Sequence, residues 1–181
     1  LINTGTSWQH YTEGDFNPVN LYAATKQAFE SILKYYIEAR GLKVISLILF
    51  DTYGPNDPRK KILSLLNDVS KSGDTISMSE GEQMIDLVYI DDVISAYLFA
   101  YKNIVQQIVG HSRYGVATNR PLSLKNLVFE FEQVLGVKVN VNWGKRPYRN
   151  REVMVPWLGS QKLLNWEARV ELDEGLIRSF G

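Results

Sequence analysis

Apolar positions along this chain switch between two periods, and the switches outline its elements. Leu1 to Thr6 opens with a short apolar run that reads as a strand ending in Thr-Gly-Thr, followed by a polar, irregular stretch from Trp8 to Asn17. Pro18 suits the start of a helix. From Asn20 to Arg40 the apolar residues Leu21, Ala24, Ala28, Phe29, Ile32, Leu33, Tyr36 and Ile37 recur at helical spacing, and Gly41 is a C-terminal stop. Val44 to Phe50 is almost continuously apolar, the pattern of a parallel strand buried on both faces. Strand, helix and strand at this spacing form a βαβ unit, so the expected fold class is α/β with a parallel sheet.

The second part of the chain is more broken. Thr52 to Pro58 is rich in turn residues, and a helix is expected from about Lys60 to Lys71. Strands are expected at Thr75–Met78, Ile85–Ile90 and Val137–Trp143. Asp91 and Asp92 stand where acidic side chains favour a helix start, with that helix running to about Lys102. Ser123 caps a helix over Leu124–Leu135, and two short helices, Ser160–Asn165 and Leu172–Phe180, close the chain. No internal repeat or low-complexity segment interrupts the pattern.

Composition narrows the function classes. A chain of 181 residues with 45% hydrophobic residues can bury one substantial core or two small ones. Twenty basic and twenty acidic residues cancel, which gives no pull toward nucleic acid or an anionic membrane. The absence of Cys removes disulfides, thiolate metal sites and Cys nucleophiles, and fits a cytoplasmic protein. No apolar run reaches the ~20 residues of a membrane span, and the isolated His10 and His111 do not make a metal site. The chain begins at Leu1, inside a strand of core character, so a preceding segment is expected.

The candidate chemistry starts with Tyr22-Ala23-Ala24-Thr25-Lys26. Residues four apart share a helix face, so the Lys26 ammonium lies close to the Tyr22 phenol and favours its phenolate. A Tyr held this way can exchange a proton with a carbonyl or alcohol. A second candidate is the basic stretch Lys145 to Arg151, whose guanidinium forks suit phosphate oxygens.

These landmarks occur in a fixed order: Leu1 to Thr6, Tyr22 to Lys26, Asp51-Thr52-Tyr53-Gly54-Pro55, Ile85 to Val93, and Leu164-Asn165-Trp166. Together they resemble the extended short-chain dehydrogenase/reductases, specifically the NAD-dependent epimerase/dehydratase group that modifies nucleotide sugars. The resemblance implies a Rossmann-type, doubly wound parallel sheet and a smaller mixed α/β substrate domain. Residues 1–56 would be the C-terminal part of the dinucleotide-binding domain and 57–181 mainly the substrate domain, with 86–102 returning to the Rossmann sheet. It implies NAD or NADP as cofactor, a nucleotide-sugar substrate and a possible homodimer of the complete protein. The family's glycine-rich pyrophosphate turn has no counterpart here, so this portion alone is expected to have little or no activity.

By the same resemblance Tyr22 is the acid/base, and Lys26 holds the nicotinamide ribose and supports Tyr22. Thr6 orients the substrate oxygen, with Ser7 as the rival for that place. Asp51, Arg149 and Arg151 are the remaining substrate-binding candidates, Arg149 matching the family's C-terminal phosphate-binding Arg best. The chain departs from the family at Ile48 and Ile85, where Arg is usual, and at Asp51, where Asn is usual. Ser7 and Trp8 follow Thr6 where dehydratases carry an Asp-Glu pair, which disfavours dehydration and leaves ketoreductase or epimerase. The Thr-Gly-Thr-Ser-Trp-Gln-His stretch is similar to the CDP-hexose 4-ketoreductases of surface-polysaccharide deoxysugar synthesis. The competing reading is a non-catalytic relative serving as a binding or assembly scaffold.

Overall fold

A computed structural model describes residues 1–11, 16–104, 110–157, 159, 161–163 and 165–181. The chain begins with β1 (Ile2–Thr6), passes through one 3₁₀ turn at Ser7–Gln9, and enters α1 (Leu21–Arg40). Asn20, two residues beyond Pro18, caps α1 by accepting the Ala23 N–H, and Gly41 ends it with φ of 65°, a conformation glycine adopts without Cβ strain. β2 (Val44–Leu49) follows, then β3 (Asp51–Tyr53), α2 (Ile62–Ser72), β4 (Thr75–Ser77), β5 (Met84–Ile85), β6 (Leu87–Tyr89) and α3 (Ile90–Ile104). After these come β7 (His111–Val116), β8 (Leu122–Ser123), α4 (Leu124–Leu135), β9 (Asn140–Asn142) and α5 (Leu172–Phe180).

β1, β2 and β7 form a three-stranded parallel sheet in the order β1-β2-β7, aligning Thr6 with Leu49 and Leu49 with Val116. α3 lies against this sheet through Val93, Ala96 and Ala100; the small side chains four residues apart let the helix approach Ile45, Leu47 and Val116 closely. A second apolar cluster joins α2, α4 and α5 through Leu63, Leu66, Leu127, Phe131 and Leu176. β3 and β6 pair in parallel, β4 with β9 in parallel, and β5 with β8 antiparallel.

Several expectations shift. The strand expected over Ile85–Ile90 is two short strands, β5 and β6, interrupted at buried Asp86. The Asp86 carboxylate accepts the Thr118 N–H at 2.8 Å, the Thr118 hydroxyl at 2.9 Å and the Asn119 N–H at 2.8 Å. Those bonds tie the chain to the loop after β7, and a continuous strand would lose them. The turn expected from Thr52 begins with β3, and β9 is shorter than the Val137–Trp143 run. β7 has no apolar signature: His111 and Arg113 spend alternate positions on polar partners, Ser46 and Glu30. Of the helix expected over Ser160–Asn165, Ser160 and Leu164 lie outside the described residues, and Lys162 makes a parallel bridge to Gly115 instead. Asp91 and Asp92 do stand in the first turn of α3. Asp92 is also buried and accepts the Arg169 and Val170 N–H groups at 3.0 and 2.9 Å, anchoring the segment that leads to α5.

Candidate active site

β1 delivers Thr6 to the C-terminal end of the parallel sheet, the end at which open α/β sheets place their ligands. Thr6 caps the 3₁₀ turn: its hydroxyl accepts the Trp8 N–H at 3.3 Å, and its own N–H donates to Gln9 Oε1 at 2.9 Å. Among the described residues the Thr6 hydroxyl donates no hydrogen bond. Gln9 is fully buried, and its Nε2 donates to Gln27 Oε1 on α1 at 2.9 Å.

On α1, Tyr22 and Lys26 share a face as their spacing requires, with the Lys26 Nζ 5.8 Å from the Tyr22 ring centroid. Tyr22 is exposed and Lys26 half-buried. The adjoining stripe of Ala23, Gln27, Glu30 and Leu33 turns inward. Glu30 is buried 3.3 Å from Arg113 Nε, an ion pair without hydrogen-bond alignment, and its Oε1 has no hydrogen-bond partner among the described residues. Arg113 also bonds His10 Nε2 at 3.1 Å, and the His10 ring stacks on Trp157 at 3.7 Å.

A cavity of about 800 Å³ opens between the end of the parallel sheet and the second apolar cluster. Ser7, Trp8 and Asn20 line it on the β1–α1 side, and Asp51, Lys61 and Arg149 line it elsewhere. Thr6, Tyr22 and Lys26 are not in its wall; Thr6 adjoins it through Ser7, and Tyr22 lies within one turn of Asn20 at the start of α1. The remaining candidates, Ser7, Asp51, Arg149 and Arg151, all reach it.

Within that wall Asp51 is held by β3, its N–H donating to the Asp86 carbonyl at 3.1 Å. Burial pushes its carboxyl above the usual range, partly opposed by the charge of Lys61. Lys61 is in turn pulled down by burial and by Arg59, and its Nζ donates to the Thr52 carbonyl at 3.2 Å. Arg149 is exposed, and its guanidinium makes no hydrogen bond or ion pair among the described residues. Arg151 differs: its guanidinium stacks on Tyr11 at 4.4 Å and donates to the Asn17 side chain, bracing the loop after β1.

Residues 5–116 match the NAD-dependent epimerase/dehydratase family. The chain belongs to that family. It is 32% identical to the CDP-abequose synthase of Yersinia pseudotuberculosis over 86% of this chain and 54% of that protein. It is 29% identical to the UDP-glucuronate 4-epimerase of Thermodesulfobacterium geofontis over 90% of this chain and 50% of the relative. The chain thus spans about half the length of these relatives. Among solved structures, the UDP-glucose 4-epimerase of Thermotoga maritima with UDP-glucose superposes with a TM-score of 0.83 at 24% identity, covering 99% of this chain and 61% of that one. The UDP-glucuronic acid 4-epimerase of Bacillus cereus, in complex with UDP-glucuronic acid and NAD, superposes at 0.84 with 21% identity over 99% and 59%. These likenesses establish the Rossmann-type α/β fold.

The site also contains residues that the sequence reading did not single out. Lys60 and Lys61 add cationic groups to the cavity wall beside Arg146 of the basic stretch, and the Lys-Lys doublet after the Asp57–Arg59 turn was their visible signal. Gln9, Gln27 and Glu30 gave a signal of the opposite sense, since polar residues on a helix suggest a solvated face. Among the described residues no cluster of His, Asp or Glu could hold a metal ion, and no helix is long and apolar enough to cross a membrane.

Proposed function

We propose that this chain carries the proton-transfer and substrate-binding portion of an NAD(P)-dependent enzyme acting on a nucleotide-linked sugar, with 4-ketoreduction of a CDP-linked deoxysugar as the favoured reaction. The observation that carries this reading is the cavity itself. It has cationic groups for a diphosphate, Lys60, Arg146 and Arg149, and its wall runs to Ser7 and Asn20, beside Thr6 and Tyr22. The CDP-abequose synthase likeness directs the choice of sugar.

The residues present fit one end of a dinucleotide. Lys26, with no ion pair among the described residues, and Tyr22 offer donors to a nicotinamide ribose at the end of the parallel sheet. The glycine-rich pyrophosphate turn is not in this sequence. When bound, the nicotinamide supplies the hydride. Tyr22 gives its phenolic proton to the ketone oxygen, the Lys26 ammonium stabilises the phenolate left behind, and the Thr6 hydroxyl orients that oxygen. Arg149, with Lys60 and Arg146, is placed to meet the diphosphate, while Arg151 holds the loop that frames the sugar. Residues 1–56 then serve the cofactor side and 57–181 mainly the substrate, with α3 returned to the parallel sheet. The exposed strip Leu21, Phe29, Ile32 and Tyr36 on α1 supports a homodimer of the complete protein, readable by sedimentation.

The test is turnover of the complete protein with NADH or NADPH and a panel of nucleotide 4-keto-6-deoxysugars, followed by nicotinamide absorbance, beside Tyr22→Phe. The substitution is expected to lower kcat about 10²- to 10⁴-fold. Equal activity removes Tyr22 from the mechanism, and a wild type that binds nucleotide sugars without turning any over supports the scaffold reading.

A further inference from the structure

The geometry points to Gln9 as a positioning residue: we infer that its buried amide holds the Thr6 end of β1 and the Lys26 region of α1 in fixed mutual placement. This rests on the reading of Thr6, Tyr22 and Lys26 given above.

The bond directions leave little choice. The Thr6 backbone N–H can only donate, so the atom of Gln9 that meets it at 2.9 Å is the oxygen. The other end of the amide is then the NH₂ group, and the Gln27 atom that it meets at 2.9 Å is an acceptor. One backbone donor therefore fixes the orientation of two side-chain amides. Gln27 directly follows Lys26, so the chain of bonds runs from the backbone of one proposed catalytic residue to the neighbour of another. Gln9 is fully buried, so water does not compete for these bonds. Gly5 belongs to the same device: a Cβ there would lie 2.9 Å from Gln9 Oε1 and 2.4 Å from Ile48 Cδ1, so a side chain at that position would displace the amide.

A proton donor and a hydrogen-bonding hydroxyl serve one substrate oxygen only if their separation is held, and displacement by an ångström costs up to about 10²-fold in rate. Gln9 touches neither substrate nor cofactor in this scheme. Its removal should slow the reaction without weakening binding in the cavity, whose diphosphate contacts lie on another segment.

The experiment compares Gln9→Met, Gln27→Met and Gln27→Glu in the complete protein. Gln9→Met keeps the side-chain length and removes both bonds; Gln27→Glu keeps an acceptor for Gln9 Nε2. Gln9→Met is expected to lower kcat about 10- to 100-fold with KM for the nucleotide sugar within about twofold. Gln27→Glu should stay within about threefold of wild type. Independently of turnover, hydrogen exchange at the Thr6 amide should accelerate at least about tenfold in Gln9→Met while β2 amides keep their protection. If Gln9→Met does not fold, Gln27→Met on the half-buried side of the bridge is compared with Gln27→Glu in the same way. Unchanged Thr6 exchange and unchanged kcat overturn the inference, as does an equal kcat loss in Gln27→Met and Gln27→Glu. Should the wild type turn over no sugar nucleotide, the functional reading fails and the exchange measurement alone decides the bridge.

Discussion

Replacing Asp86 and Asp92 by Asn should have unequal consequences, because the two buried carboxylates use their oxygens differently. Asp86 employs both: Oδ1 accepts the Thr118 N–H and hydroxyl, and Oδ2 accepts the Asn119 N–H. An Asn amide has one oxygen, so either orientation turns an NH₂ group toward a backbone N–H. That leaves one partly buried donor unsatisfied, at about 1–3 kcal/mol, and removes charge assistance from the bonds that survive, about 1 kcal/mol more. Asp92 instead receives both of its backbone donors, from Arg169 and Val170, on Oδ2. An Asn oxygen placed there keeps both bonds, and the loss is the charge assistance alone, about 1–2 kcal/mol. Asp86→Asn should therefore be less stable than Asp92→Asn by about 2 kcal/mol. In urea, with a slope of about 2 kcal/mol/M, that difference appears as about 1 M between the midpoints. An Asp92→Asn midpoint as low as that of Asp86→Asn would refute the reasoning, because it would mean that charge rather than acceptor count holds these joints.

Three further outcomes follow from the same structure. Gly175 sits in α5 against Tyr53, and a Cβ there would lie 2.0 Å from the Tyr53 hydroxyl oxygen. Gly175→Ala should destabilise by about 1–3 kcal/mol despite the usual helical gain of about 1 kcal/mol, and Tyr53→Phe should recover part of the loss in a urea double-mutant comparison. His111, bonded to Ser46 at 2.7 Å, is held below the usual histidine range by burial, with Glu30 opposing and Arg113 reinforcing that shift. Its folded form takes up a proton less readily than the unfolded chain, so its contribution is complete above the unfolded value near 6.5 and is lost as pH falls from there. His111→Asn should flatten the stability–pH curve between neutral and mildly acidic pH, as read by urea midpoints across a buffer series. The Asp51 carboxyl is raised by burial, so its ionised form weakens the fold at neutral pH; the relation is favourable below the unfolded value of 3.8 and is lost as pH rises through the folded one. Asp51→Asn should therefore raise the melting temperature at pH 7 and leave it unchanged near pH 3.

The elements that the sequence made legible are those whose evidence is local. α1 carries its periodicity, its Asn20 cap and its Gly41 stop within a few residues, and α4 likewise follows the Ser123 cap and ends at Gly136. The Tyr22–Lys26 pair was legible for the same reason, since one helical turn sets their relation. What stayed hidden depends on residues distant in the chain. β7 is a polar strand whose side chains find partners on β2 and α1, and the break at Asp86 is made by Thr118 and Asn119. Gln9, Glu30, Asp86 and Asp92 are buried polar groups at positions where a periodic reading expects apolar ones or solvent. Such groups destabilise a fold unless each finds its partner, so they persist where a fixed geometry is required. Gln9 joins the turn after β1 to the helix of Tyr22 and Lys26, Glu30 ties that helix to Arg113 on β7, and Asp86 lies beside Asp51 in the cavity wall. Gln9, Glu30 and Asp86 thus hold the segments around the candidate site, while Asp92 holds the segment that leads to α5.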